Sequence, residues 1–253
     1  MSGALRAGDA VARIAVWSGP RSISTALMRS FGERPDTAVV DEPFYAAWLR
    51  ITGANHPMRE DILAAQETDW RRVAEALTAP PPDGRRIVYQ KHMTHHMVPD
   101  IGLDWMRACR HAFLIRAPAR VIASYAEKRE AVTLKDLGLA RQVELFEETS
   151  RIAGAPPPVV DADRLLADPR GVLRALCEAL AIPFDPNMLA WPPGRRATDG
   201  VWAAHWYDAV ERSTGFAAPR PPPVLREPSH VRLEAEAQPF YERLAAHALA
   251  PVP

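Results

Sequence analysis

The chain has 253 residues and a mass of 28.0 kDa, 47% of them apolar and 25% charged, a globular profile with length for one sizeable core or at most two small domains. Its 31 Lys and Arg balance 31 Asp and Glu, for zero formal net charge and a pI near 7.1, so no overall basic field draws it to nucleic acid or to an anionic membrane; a local anion pocket is still allowed. The two cysteines, Cys109 and Cys177, make neither a disulfide framework nor metal-site spacing, and the expected compartment is the reducing cytoplasm; residues 1–13 hold no apolar stretch of export length.

RIAVW (13–17) predicts a short buried strand, and SGPRSIS follows as a polar turn. Ile23, Leu27 and Phe31 then recur every four residues, one face of a helix that Ser22 or Ser24 would cap. TAVVDEPF (37–44) reads as a second strand ending in two carboxylates and stopped by Pro43. Residues 58–66 and 69–78 read as short helices. RRIVYQK (85–91) is a third strand running into a Lys and His cluster, and HAFLIR (111–116) a fourth. Pro118 sits near the first position of a helix extending to about Arg129. Residues 136–152 make another amphipathic helix, PVVDAD (158–163) a fifth strand and 169–180 a helix. The last third holds a Pro-rich loop, a Trp-rich helix over about 200–213, an extended PPVLRE and a terminal helix over about 232–249.

Nearly all-apolar strands alternating with helices predict a three-layer α/β/α fold around a central parallel sheet of about five strands. Much of the proline, 25 residues in all, is clustered at 79–83, 154–159, 191–194 and 218–224, where it stiffens connections without marking a domain boundary. One domain is therefore expected over 1–253, with its motifs at about 14–210 and a helical extension at about 225–250. Ligands in such folds bind beyond the carboxyl ends of the strands. Arg21, Glu42, Lys91 and Arg116 all fall at those ends.

WSGPRSISTAL (17–27) sets strand, tight loop and helix N-terminus in succession, the usual construction of an oxyanion site. It lacks the second Gly and the Lys-Ser/Thr pair of GxxxxGK[ST], so a magnesium-holding arrangement is not supported. The loop offers instead Pro20, the forked guanidinium of Arg21, the hydroxyls of Ser22, Ser24 and Thr25, and free backbone N–H groups, a set that suits phosphate or sulfate without a metal. A polar turn capping a structural helix reads equally well from the motif's shape.

Pro20-Arg21-Ser22-Ile23-Ser24-Thr25 is similar to the 5′-phosphosulfate loop of sulfotransferases that use 3′-phosphoadenosine 5′-phosphosulfate (PAPS), which reads roughly PKSGTT or PRSGST. Ile23 departs from it by standing where the loop usually carries Gly. LIRAPARVIASYAEKR (114–129) resembles the family's 3′-phosphate signature, an Arg at a strand end and a Ser eight residues on, which implies that role for Arg116 and Ser124. VVDADRLLADPRGVLRALCEAL (159–180) resembles the segment that follows. GRRATDGVWAAHW (194–206) resembles the late cofactor loop, which implies Arg195, Arg196 and Gly200 on the cofactor side, with Trp202 anchoring the next helix or stacking near the adenine. The motifs most resemble the bacterial sulfotransferase-like branch carrying WSGPRS…DEPF…KHM. The resemblance implies the P-loop-NTPase-like sulfotransferase fold, PAPS as cofactor with 3′,5′-bisphosphate (PAP) as product, and metal-independent, in-line transfer of a sulfuryl group to a hydroxyl of a small-molecule acceptor.

Such a transfer needs a base for the acceptor proton and positive charge at the leaving oxygen. Arg21 and Lys91 meet the second need. Glu42, at the end of the second strand, is the first candidate base. Asp41 beside it would point the opposite way in a strand, as a loop-fixing partner of Arg21. His92 is the rival: the resemblance extends to a subgroup in which a Lys-x-His segment after the third strand supplies the base, with His95 behind it. His92, His95 and His96 lie close together, but the spacing is not HExxH and no metal site is assigned. His111 reads as structural. Trp191, Trp202, Trp206 and Tyr207 read as packing or as the wall of a pocket for an aromatic or lipid-like acceptor.

Two other readings stay open at this level: a P-loop-like kinase or hydrolase, against which the missing GK[ST] counts, and a non-catalytic nucleotide-binding protein that retains the fold. Neither nucleic acid nor membrane is an expected partner, and a homodimer is left open.

Overall fold

The computed structural model describes residues 11–81, 83–126 and 132–252. Five strands, β1 (Ala12–Ser18), β2 (Thr37–Asp41), β3 (Ile87–Met93), β4 (Arg110–Ile115) and β5 (Val159–Asp161), form one sheet in the order β2-β3-β1-β4-β5. Every neighbouring pair is parallel, with Val16 of the central β1 opposite Lys91 on one side and Ala112 on the other. All five carboxyl ends therefore open on the same edge.

The helices are α1 (Ser24–Gly32), α2 (Tyr45–Thr52), α3 (Arg59–Ala65), α4 (Trp70–Thr78), α5 (Pro118–Ala126), α6 (Leu134–Leu137), α7 (Leu139–Ala153), α8 (Ala162–Ala167), α9 (Pro169–Ala179), α10 (Ala203–Trp206), α11 (Asp208–Glu211) and α12 (Pro228–Ala245). Alternation along the strands divides them between two faces. Ile14, Val16, Tyr89 and Leu114 pack with Leu27 and Phe31 of α1 and Leu173 and Leu176 of α9. Ala15, Trp17, Phe113 and Ile115 pack with Val73 of α4, Val143 and Phe146 of α7, and Leu244 of α12. Burial on both faces explains the apolar cores of β1, β3 and β4, whereas the edge strand β2 is only partly buried.

Several elements differ from their sequence-predicted bounds. β2 stops at Asp41, because Glu42 takes a left-handed conformation (φ 41) and Pro43 follows. α2 has no counterpart in the sequence reading. The helix expected over 136–152 is two, α6 and α7, divided by Gly138 at φ 72. A Cβ on Gly138 would lie 2.8 Å from Thr94 Oγ1, so this turn requires glycine both for its backbone and for close approach. The fifth strand ends at Asp161, whose Oδ1 accepts from the N–H groups of Asp163 and Arg164 and starts α8. The Trp-rich helix is two single-turn pieces, α10 and α11. α5 is described to Ala126, and the expected extension to Arg129 lies outside the described residues.

α12 is tied to the sheet rather than appended to it. Leu233 and Ala237 pack on Val121, Ile122 and Leu137, Tyr241 OH donates to Asp161 Oδ2 at 2.7 Å, and Leu249 N donates to Val159 O at 2.8 Å. Among the described residues no helix is long and apolar enough to cross a membrane.

Candidate active site

The turn from β1 to α1 is built from unusual backbone. Gly19 is packed so closely that a Cβ would meet Leu137 O at 2.5 Å. Arg21 (φ 57) and Ile23 (φ 56) are both left-handed, which for a β-branched residue is rare and strained. Ile23 thus adopts the conformation a glycine would, while its side chain packs against the core cluster beneath the loop. Neither Ser22 nor Ser24 caps α1, contrary to expectation: Ile23 is the N-cap and supplies no side-chain acceptor. Ser22 Oγ bonds Pro20 O instead, at 3.2 Å. The first-turn amides of α1 are left uncapped by any side chain, beside the cavity that Pro20 through Ala26 line.

That cavity has a volume of about 370 Å³ and lies at the carboxyl edge of the sheet. Arg21, Arg116 and Ser124 meet along it. Arg21 Nε donates to Ser124 Oγ at 3.0 Å, and Arg116 Nη1 donates to Arg21 O at 2.7 Å. Among the described residues Arg116 Nε is buried with no hydrogen-bond partner. Burial, with Arg120 and Arg21 adding repulsion against the opposing pull of Asp163, lowers the Arg116 pKa from its ordinary value. Arg120, one turn before Ser124 on α5, bonds Asp163 Oδ2 at 2.8 Å and the carbonyls of Arg220 and Pro221 at 2.5 and 3.2 Å. Arg120 and Arg220 line the same cavity. The sequence reading missed both, although Arg120 stands four residues before Ser124 on α5, a spacing that shares a helix face.

A second group surrounds Lys91, which is 1% exposed. Its Nζ donates to Asp41 Oδ1 at 2.9 Å, Glu42 Oε1 at 2.5 Å and Tyr207 OH at 2.7 Å. Tyr207 OH in turn donates to Asp41 Oδ2 at 2.8 Å and accepts from Trp202 Nε1 at 3.2 Å. The two carboxylates converge on one ammonium because the strand ends between them: the left-handed Glu42 breaks the alternation that would have sent them to opposite faces. Asp41 is therefore a partner of Lys91, not of Arg21. Burial, and then the charge of Asp41, push the Glu42 pKa up against the lowering pull of Lys91, and the net shift is upward. For Lys91 burial acts downward, but Asp41, Glu42 and Tyr207 outweigh it and hold the pKa well above the ordinary value.

The structure separates other residues from this cavity. His92 follows Lys91 in β3 and points to the opposite face of the sheet. It stacks on Trp17 with ring centroids 4.5 Å apart and shares Nε2 with Gln90 Oε1 at 3.1 Å. Burial and then His111 push its pKa down to about 3, so its geometry does not serve a base in the cavity. His111 lies in the same cluster: its Nδ1 accepts from Trp17 Nε1 at 3.1 Å, so Nε2 carries the proton and donates to Met106 O at 2.9 Å. Arg195 is exposed, and Arg196 reaches Pro192 O at 2.6 Å and Glu33 Oε1 at 3.4 Å, behind α1. Gly200 N donates to Asp41 Oδ2 at 3.3 Å, and Trp202 is buried against Tyr207. None of these four lines the cavity; Gly200 and Trp202 brace Asp41 and Tyr207 from behind, a role visible only in the folded contacts.

Tyr45, His56, His95, His96, Trp206 and Tyr207 complete the lining near Glu42. Tyr45 OH and His56 Nδ1 are 2.5 Å apart. His96 stacks on Tyr45 at 4.5 Å and on Trp48 at 4.9 Å, and burial above all holds its pKa well below the ordinary imidazole range. Tyr45 and His56 come from a stretch where sequence offered no motif. Among the described residues no three His, Cys, Asp or Glu side chains are grouped to hold a metal ion.

A family model described as "Sulfotransferase domain" matches residues 12–248. Two Arabidopsis thaliana proteins named branched-chain-amino-acid aminotransferase-like protein 1 and 2 are 38% and 36% identical, over 91% and 92% of this chain. The chain spans 41% of the length of each of them. The sulfotransferase domain from the curacin biosynthetic pathway superposes with a TM-score of 0.53 at 17% identity, covering 90% of this chain and 98% of that one. A sulfotransferase from Alicyclobacillus acidocaldarius does so with a TM-score of 0.55 at 14% identity, covering 94% and 96%. These two structures share the parallel-sheet fold.

Proposed function

This chain belongs to the sulfotransferase domain family, and on that premise we propose that it transfers a sulfuryl group from PAPS to a hydroxyl of a small-molecule acceptor, with Glu42 as general base. The observation that carries this reading is the meeting, on one cavity, of the uncapped anion loop, the Arg21–Ser124–Arg116 cluster and a buried carboxylate–ammonium group.

The residues present fit the nucleotide. Arg116 lines the cavity with a buried Nε that lacks an acceptor, and a phosphate oxygen is the acceptor a guanidinium in that state requires. The loop amides, Arg21, Ser22, Ser24 and Thr25 would hold the phosphosulfate, and Arg116 with Ser124 the 3′-phosphate. PAPS, when bound, supplies an activated sulfuryl group.

The chain's own contribution is charge and proton management. Lys91 stays protonated, held by Asp41 and Tyr207, and is a fixed cation for the charge that builds on the leaving oxygen. Glu42 accepts the acceptor hydroxyl proton at its carboxylate; its raised pKa brings it nearer to the working range of a general base. His92 has no part in this scheme, because the sheet lies between it and the cavity.

The test is calorimetry with adenosine 3′,5′-bisphosphate on the parent chain and on Arg116→Ala. Binding is expected for the parent, and a charged hydrogen bond of about 1.5–3 kcal/mol puts the loss in the variant at roughly 10- to 100-fold. No binding by the parent, or equal binding by the variant, overturns the reading.

A further inference from the structure

The cavity's side chains near Glu42 have a chemistry of their own. Tyr45, His56 and Trp206 form a connected set of rings, with centroids 5.5 Å apart for Tyr45–His56 and 6.0 Å for His56–Trp206. Tyr45 OH and His56 Nδ1 are turned toward each other at 2.5 Å. What the pair adds to the cavity is mainly π surface, negative on its face.

Beside Glu42 the described carboxylates outnumber the cation. The ammonium of Lys91 is matched against both Asp41 and Glu42, two carboxylates to one cation. The positive charge of the arginines that line the cavity is set around the loop, where the phosphates would take it up: Arg116 donates to the Arg21 carbonyl, Arg21 to Ser124, and Arg120 to Asp163 and the Arg220 carbonyl. Among the described residues the cation beside Glu42 is Lys91, already shared by two carboxylates, and it leaves little for an anionic acceptor. A neutral acceptor gains nothing from the excess carboxylate. A cation is favoured by both the rings and the charge. The occupant is also small, because a cavity of about 370 Å³ has to take the nucleotide as well.

We infer that the acceptor is a small alcohol bearing an ammonium centre, the ammonium lodged against Tyr45, His56 and Trp206 and the hydroxyl directed to Glu42. This rests on the reading of Glu42 as the base; the ring set and the charge excess are independent of it.

Titration calorimetry on the full chain, with and without adenosine 3′,5′-bisphosphate, decides it. The probes are choline and its uncharged isostere 3,3-dimethylbutan-1-ol, which differ in charge and scarcely in shape. Choline is expected to bind about tenfold more tightly or better, the effect of one or two cation–π contacts. Trp206→Leu and His56→Ala should each erode that preference, so that a folding defect in one leaves the other to answer. Equal affinities, tighter binding of the isostere, no choline binding, or a preference that survives both substitutions overturns the inference. If choline is preferred by the free chain while the bisphosphate fails to bind, the donor assignment falls and the ammonium site stands. If the bisphosphate binds and choline is not preferred, the ammonium site falls and the donor assignment stands.

Discussion

Arg21 Nε donates to Ser124 Oγ at 3.0 Å, joining positions 103 residues apart. Arg21 belongs to the turn after β1 and Ser124 to the helix after β4, the strand beside it in the sheet. Arg116, at the end of β4, grips the same turn by its carbonyl. Loop and helix therefore make one basic surface, and under the proposed function a ligand with two separated phosphates would engage both parts. Removing the hydroxyl in Ser124→Ala should weaken bisphosphate binding by about tenfold, the value of a hydroxyl bond to a charged phosphate at the low end, about 1.5 kcal/mol. Calorimetry should rank it clearly below Arg116→Ala; the opposite ranking contradicts the assignment.

Glu42→Gln should bind the bisphosphate as the parent does and lose turnover. In the parent, kcat/KM should fall on the acid side as Glu42 gains its proton. Burial has raised that pKa, so the limb should lie above the ordinary carboxylate range. A pH profile with its acid limb at or below the usual glutamate value would show that another group is the base.

Tyr207→Phe removes one hydroxyl that serves three partners: Lys91, Asp41 and Trp202. Leaving such buried groups under-bonded costs about 1–3 kcal/mol, readable as a lower urea midpoint. A larger fall in kcat than in nucleotide affinity is expected, because the network holds Lys91 and Glu42 and does not touch the Arg116 cluster. Equal losses in both would argue for a general folding effect.

His92 makes a prediction about acid. Its folded pKa is depressed to about 3 from 6.5, so the unfolded chain binds more protons between those values. The corresponding stability is fully present above the unfolded pKa and is lost as pH falls through the window, by about 1.4 kcal/mol per pH unit. His92→Phe should flatten the decline in urea midpoint between pH 6.5 and pH 4.5. A decline of unchanged slope would locate the acid sensitivity elsewhere.

At Ile23 two effects oppose. The left-handed conformation (φ 56) costs a side-chain-bearing residue about 1–2 kcal/mol, and the partly buried side chain returns about as much by covering the core. Ile23→Gly should therefore change stability by no more than about 1 kcal/mol, a small shift in melting temperature. A loss beyond about 2 kcal/mol would show that packing dominates at this position.

The strands were legible from short apolar cores, IAVW (14–17), IVY (87–89) and AFLI (112–115), that are buried on both faces; the edge strand β2 is only partly buried over Ala38, Val39 and Val40. The Arg116–Ser124 spacing was legible because a strand end and two helical turns leave little freedom between them. Alternation separates Lys91 from His92, since adjacent residues of β3 cannot both face the cavity. The same rule misplaced Asp41 and Glu42, because nothing local announces a left-handed residue at the strand end. α2 was missed: it starts directly after Phe44 with no side-chain cap. The motif of the late Gly200–Trp202 segment resembles a cofactor loop, whereas its contacts here brace Asp41 and Tyr207, and the Gly200–Asp41 bond joins positions 159 residues apart.

The dependence of Lys91 on Tyr207, 116 residues downstream, also has a consequence for biosynthesis. As a nascent chain leaves the ribosome, the anion loop and all five strands emerge before the hydroxyl that completes the ammonium's shell. Until then Lys91 has its carboxylates but not its roof, and parallel pairing between distant strands is itself slow. The proton-handling half of the cavity should thus be among the last parts of this protein to mature.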